Sequence, residues 1–148
     1  MPKKKVKPVP KGYHAVTASL NLVNAKGAID FCKKVFGAKV RSVMPGPGGK
    51  IIHAEVLIGD SVVMFSDSVR EPERPTNLFV YVPAVDKTFA KAVKAGAKVM
   101  MPVATMFWGD RFGRVEDPNG NRWSIATHVE DVSPKEMKKR AAKAMPPP

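Results

Sequence analysis

The chain has a single cysteine, Cys32, among 148 residues, which excludes an intrachain disulfide and any metal site built from several thiolates. Histidine is scarce too, with three in all. No apolar run approaches the roughly 20 residues that cross a bilayer. The basic opening MPKKKVKPVPKG is followed by no apolar segment before a cleavage site, so no secretory signal is read and a cytoplasmic protein is expected. PGPGGK lacks both the Ser or Thr after its Lys and the strand-loop-helix setting of a phosphate loop. Acidic residues are few, 13 against 25 Lys and Arg, for a net charge of +12. With 44% hydrophobic and 26% charged residues, the composition is that of a soluble globular protein, and the length suits one domain.

Much of the positive charge sits at the ends. Lys3, Lys4, Lys5, Lys7 and Lys11 fall in a Pro-interrupted leader, residues 1–12, expected to be disordered. Residues 130–148 contain SPKEMKKRAAKAMPPP, in which Ser133 as N-cap, Pro134 in the first turn and Glu136 as capping-box partner predict a short basic helix before a Pro tail. PKKKVKP resembles a nuclear-localisation cluster and would attract phosphate backbones. No groove-reading helix or aromatic RNA-binding strand accompanies it, so nucleic-acid association through the tails is the lesser expectation.

Between the tails the chain repeats itself. In AVTASLNL, residues 15–22, Val16, Ala18, Leu20 and Leu22 alternate with polar residues as in a half-buried strand. Asn24 caps a helix with Ala28, Ile29, Cys32, Val35 and Phe36 on one face, and Gly37 ends it. GAKVRSV, IIHAEVLI and VVMFS follow as strands. The second half gives LFVYV, a helix capped by Asp86 and ended by Gly96, then GAKVMMPV, WGDRFGRVED and NRWSIATH. The tetrapeptide Gly-Ala-Lys-Val therefore marks equivalent points, where a helix C-terminal glycine feeds a strand. This predicts an α+β fold of two βαβββ modules, residues 13–68 and 76–129.

Two such modules, with GAIDFCKKVFGA in the first and VEDPNGNRWSI in the second, resemble the vicinal oxygen chelate superfamily of glyoxalases, bleomycin-resistance proteins and extradiol dioxygenases. KIIHAEVLIGDSVVMFSD and FWGDRFGRVEDPNGNRWSIATHVEDVSPKEM are similar to its PhnB-like branch. The resemblance covers roughly residues 13–140, with the vicinal oxygen chelate domain at 13–129. It implies a curved eight-stranded sheet system around a cavity, helices outside, usually in a homodimer. It further implies, in metal-dependent members, four His, Glu or Gln ligands from the first and fourth strands of both modules. Those positions fall on Thr17, Met64, Leu78 and Ser124. Leucine cannot coordinate, a thioether is soft, and hydroxyls are poor ligands here. No metal and no cofactor is expected.

Alternation independently turns His53, Glu55 and Leu57 to the side opposite Ile52, Ala54, Val56 and Ile58, and places Arg122, Ser124, Ala126 and His128 opposite Trp123, Ile125 and Thr127. His53 with Glu55 forms a candidate general base, with a hydrogen-bonded structural pair as the competing reading. Trp108, Asp110, Arg111 and Phe112 combine aromatic faces with a charge pair, suiting an organic ligand or equally a plugged barrel end. Arg114 and Arg122 offer positive charge to an acidic ligand, or pair with Glu116 and Glu55. Met64 and Leu78 make part of the same wall apolar, and Thr17 lies on its polar side. Cys32, on an apolar helix face, reads as core.

Three functions follow as expectations. The first is a metal-free binding protein that sequesters an organic metabolite or antibiotic in the cavity of a homodimer. The second is a metal-independent isomerase or epimerase using His53 and Glu55. The third is a basic-tailed scaffold associated with nucleic acid.

Overall fold

The computed structural model describes residues 8–68 and 76–144. Most of the expected leader and the Pro tail therefore lie outside the described residues. The chain forms two compact units, the first of Met1–Lys33 and Gly37–Pro72 and the second of Lys34–Phe36 and Glu73–Pro148.

In the first unit β1 (Ala18–Leu22) leads into α1 (Ala25–Phe36), followed by β2 (Lys39–Pro45), β3 (Ile51–Ile58) and β4 (Ser61–Asp67). The sheet order is β1-β4-β3-β2. The β1–β4 pair is parallel and the other two are antiparallel. The second unit repeats this with β5 (Asn77–Tyr81), α2 (Val85–Lys94), β6 (Lys98–Thr105), β7 (Asp110–Glu116) and β8 (Arg122–His128), ordered β5-β8-β7-β6, and then adds α3 (Pro134–Ala144). Two four-stranded mixed sheets with three helices make the α+β fold that the sequence repeat predicts.

The repeated tetrapeptide occupies matching places. Gly37 and Gly96 follow α1 and α2 with φ of 62° and 97°, a region where a Cβ is strained. The alanine after each returns its N–H to its helix, Ala38 to the Cys32 carbonyl at 3.2 Å and Ala97 to the Ala92 carbonyl at 3.0 Å. At the other end of α1, Asn24 Oδ1 accepts from the Gly27 N–H at 2.9 Å, satisfying one of the orphan donors of the first turn. The apolar side of α1 is buried at Ala25, Ala28, Ile29, Phe31, Cys32 and Val35.

Four local expectations are corrected. β1 begins at Ala18, leaving Val16 outside it and 89% exposed. Ile52 is 54% exposed rather than packed, because a bulge in the β2–β3 ladder pairs His53 with Met44 and Ile51 with Pro45 and skips Ile52. Asp86 does not cap α2. Ala84 holds that position with no side-chain bond, and Asp86 lies within the first turn. In α3 the Ser133 hydroxyl accepts from the Glu136 N–H at 3.2 Å as expected, but Glu136 turns its carboxylate to Arg140 at 3.0 Å instead of completing the capping box.

The Asp-Pro-Asn-Gly turn between β7 and β8 is built on Asp117, 3% exposed. Its Oδ1 accepts from the N–H groups of Asn119 at 2.9 Å and Asn121 at 3.0 Å. Its Oδ2 accepts from the Asn121 amide at 3.2 Å and the Trp123 indole at 3.0 Å. Trp123 is 1% exposed, in the core as expected.

Candidate functional site

Register decides which residues share the open face of the second sheet. Phe79 pairs with Ser124 and Tyr81 with Ala126 across β5–β8. Asp110, Phe112 and Arg114 of β7 pair with His128, Ala126 and Ser124. Paired residues project to the same side of a sheet. Asn77, Phe79 and Tyr81 therefore join Ser124, Ala126, His128, Asp110, Phe112 and Arg114 on one face. Leu78, placed by sequence at a cavity position, pairs instead with Trp123 and lies on the buried face. A slip of one residue along a strand inverts every side chain, and Asn77 and Phe79 take the open positions on either side.

Aromatic rings floor the middle of that face. Phe79 stacks on Phe112 with centroids 5.6 Å apart and planes 28° apart, and Tyr81 lies 5.0 Å from Phe79. Trp108 meets Phe112 edge-on at 5.8 Å. Phe112 is only 4% exposed, whereas Phe79 and Tyr81 are 49% and 62% exposed. Phe112 thus supports the floor, and Phe79 with Tyr81 presents it.

Towards Arg114 the face is cationic. Arg114 donates from Nε to Ser124 Oγ at 3.1 Å and lays its guanidinium over the Phe112 ring, 5.7 Å from the centroid. The buried Ser124 hydroxyl in turn donates to Asn77 Oδ1 at 3.4 Å. Arg122 pairs with Glu116 at 3.6 Å, one of the expected pairings. Among the described residues no carboxylate forms an ion pair with Arg114.

Towards Asp110 the face is a hydrogen-bonded cluster. Asp110 is 3% exposed. Its Oδ2 accepts from the Tyr81 hydroxyl at 2.9 Å and the Trp108 indole at 3.0 Å. Its Oδ1 lies 2.8 Å from His128 Nδ1, and His128 Nε2 lies 2.7 Å from Asp131 Oδ1. Burial pushes the Asp110 carboxyl up, but the bonds from His128, Tyr81 and Trp108 outweigh it and hold it below the usual range. Asp131 and then Asp110 raise His128, while the bond to Asp110, with burial, raises the Tyr81 hydroxyl. Asp110 does not pair with its neighbour Arg111, which donates to Asp86 at 2.7 and 2.8 Å. Consecutive strand residues point to opposite sides, so Arg111 fastens β7 to the first turn of α2.

Thr17, Met64, His53 and Glu55 belong to the first unit. Thr17 and Met64 line a cavity of about 430 Å³ with Tyr13, His14 and the segment Pro8–Pro10. His53 Nε2 lies 3.4 Å from Glu55 Oε1. The main partner of Glu55 is the Tyr13 hydroxyl, whose bond lowers its carboxyl against the opposing effect of burial, with His53 and Arg41 adding to the lowering. Arg41 also sits over the Tyr13 ring at 5.0 Å. The expected histidine–glutamate pair is thus one arm of a four-residue network. Cys32 is buried.

The positions that the resemblance assigns to metal ligands are ill suited to a cation. In the first unit they hold Thr17 and Met64. In the second, with the register corrected, Asn77 stands in place of Leu78 beside Ser124, and the Ser124 oxygen already receives the Arg114 guanidinium at 3.1 Å. A fixed positive charge on a candidate ligand opposes a divalent ion. Among the described residues no three His, Cys, Asp or Glu side chains group so as to hold a metal.

Sequence reading found the positions on β7 and missed Phe79, Tyr81 and the role of His128. The alternation Phe-Val-Tyr in LFVYV carried the signal for the first two. His128 is tied to Asp110 only through antiparallel pairing, which local pattern does not reveal.

Comparison with known proteins gives the following. A family model described as the glyoxalase/bleomycin resistance protein/dioxygenase superfamily matches residues 14–125. An uncharacterised protein of Mycobacterium bovis is 35% identical over 135 residues, spanning 83% of this chain and 89% of its own. Among solved structures, TioX from Micromonospora sp. ML1 superposes with a TM-score of 0.66 at 27% identity, covering 76% of this chain and 97% of TioX. TnmS3, an antibiotic binding protein from Streptomyces sp. CB03234, gives 0.63 at 21% identity, covering 78% and 96%, a likeness of fold. Among the described residues no helix is long and apolar enough to cross a membrane.

Proposed function

Since the chain belongs to the glyoxalase/bleomycin resistance protein/dioxygenase superfamily, we propose that it is a binding protein that sequesters a planar organic metabolite or antibiotic on the open face of its second sheet, working as a cytoplasmic homodimer of the PhnB-like branch. The observation that carries this reading is the exposed Phe79–Tyr81 ring pair, backed by buried Phe112 and edge-on Trp108. Exposed rings held rigidly from beneath lose little freedom when a flat molecule stacks on them. Each 100 Å² of apolar surface they cover contributes about 2.5 kcal/mol before the costs of association. Arg114, free of any carboxylate partner among the described residues, supplies a donor fork at one end of the floor. TnmS3 shows that this fold can serve antibiotic binding in another protein, and the support here comes from the rings.

A thermal-shift screen of aromatic metabolites and antibiotics tests the proposal, with Phe79→Ser as the control. Compounds that raise the melting temperature of the wild type should lose that effect in the variant. A library with no hits, or hits indifferent to Phe79→Ser, would remove the reading.

A further inference from the structure

The Asp110 cluster contains two carboxylates with opposite characters. Asp110 is buried, takes three donors and fixes the imidazole ring through Nδ1. Asp131 is wholly exposed, with a side-chain exposure of 102%, yet sits 2.7 Å from His128 Nε2. The first is a buried orienting group, and its departure would break three hydrogen bonds at once. The second is held by one exposed contact, of a kind that contributes little to stability. His128 itself is half exposed, so the outward nitrogen is reachable from solvent once Asp131 swings away.

His128 adjoins the aromatic floor. Tyr81 donates to the same carboxylate that holds His128, and its Cα partner Ala126 is two residues before His128 on the same face of β8. Two residues along a strand span about 7 Å, close to the length of a fused aromatic pair. A ring stacked on Phe79 and Tyr81 would carry a substituent on its His128 side to Nε2. Arg114 pairs with Ser124, four residues from His128, or about 13 Å along the strand, too far to grip the same group.

From this geometry we propose that His128 Nε2 is an anion-recognition point for a planar aromatic carboxylate, and that Asp131 is an internal carboxylate occupying that point until the ligand displaces it. The inference rests on the proposed ring-binding face and adds the charge and placement of the ligand. Asp110 serves as a positioning residue, holding the ring by Nδ1 so that the second nitrogen stays on the solvent side.

The test uses the full chain and two probes of nearly equal shape, 1-naphthoate and the neutral 1-naphthalenemethanol, with affinities measured by calorimetry and by quenching of Trp fluorescence. Naphthoate should bind about tenfold more tightly, as suits a charge-assisted hydrogen bond. His128→Gln should bring naphthoate down to the level of the alcohol while leaving the alcohol unchanged. Asp131→Asn should raise naphthoate affinity several-fold, and that gain should vanish in the His128→Gln background, which separates release of the site from a general loss of negative charge. Phe79→Ser should weaken both probes. Equal affinities of the wild type for the two probes, or a gain from Asp131→Asn that persists without His128, would overturn the inference while the ring-binding reading stands. If neither probe binds, both fall together.

Discussion

The Trp123 indole donates to Asp117 Oδ2 at 3.0 Å, with both residues almost wholly buried, so the motif that looks most distinctive in the sequence is a structural anchor. Asp117 satisfies two backbone N–H groups, one amide and the indole at once. Replacing it by Ala strands these donors in the interior. Each costs about 1–3 kcal/mol when unsatisfied, partly relieved by water and relaxation. Asp117→Ala should therefore lower the unfolding free energy by about 3 kcal/mol in urea titration, and Asp117→Asn by less, since it keeps one acceptor. A loss below about 1 kcal/mol for the alanine variant would show that the turn holds without its carboxylate.

The His128 cluster predicts a pH dependence of defined sign. His128 is raised by Asp131 and Asp110, so its stabilising effect is complete below the ordinary histidine value of about 6.5 and is lost as pH rises through the raised folded value. Asp110 is lowered, so its effect is present above the ordinary aspartate value of about 3.9 and is lost as pH falls through the depressed one. The cluster contributes most between about pH 4 and 6.5. Melting curves of the wild type and His128→Gln should differ most there and converge on the alkaline side. A difference that grows above pH 8 would contradict the arrangement.

What the sequence revealed, and what it hid, divides along local and non-local lines. The repeated module was legible because Asn24, Gly37 and Gly96 act within a few residues of themselves, through caps and left-handed glycines that a chain can show only one way. Trp123 was placed correctly because alternation within β8 is local too. Leu78 was misplaced because register depends on β5 lying parallel to β8, a pairing of segments 45 residues apart that aligns Leu78 with Trp123. Asp110 and Arg111 look like a pair in sequence, but strand geometry sends them to opposite sides, one to Tyr81 and His128, the other to Asp86. Ile52 was lost to a bulge that no propensity announces. The site was therefore legible in its residue types and illegible in its partnerships.

The last prediction concerns metal, for which the superfamily resemblance marks four positions in this chain. A tetrahedral or octahedral divalent site needs several lone-pair donors at roughly 2.0–2.2 Å. The first unit offers a hydroxyl and a thioether at Thr17 and Met64, and the second offers Asn77 and Ser124. Asn77 is the best of these donors, and its oxygen accepts from Ser124 at 3.4 Å while Ser124 accepts from Arg114. To place a dication there, the guanidinium would have to leave both Ser124 and the Phe112 ring that it covers, and repulsion would remain at that range. Untagged protein should accordingly contain well under one equivalent of zinc, nickel, manganese or iron by elemental analysis, and neither chelator nor added metal should shift its melting temperature. Arg114→Ala offers the sharper check. With the guanidinium gone the variant should still bind no cation tightly, because Thr17, Met64, Asn77 and Ser124 remain neutral donors that lack the charge to dehydrate one. One tight equivalent in the wild type, lost on Ser124→Ala or Asn77→Ala, would mean that these side chains rearrange around a metal and that the donor chemistry has been misjudged.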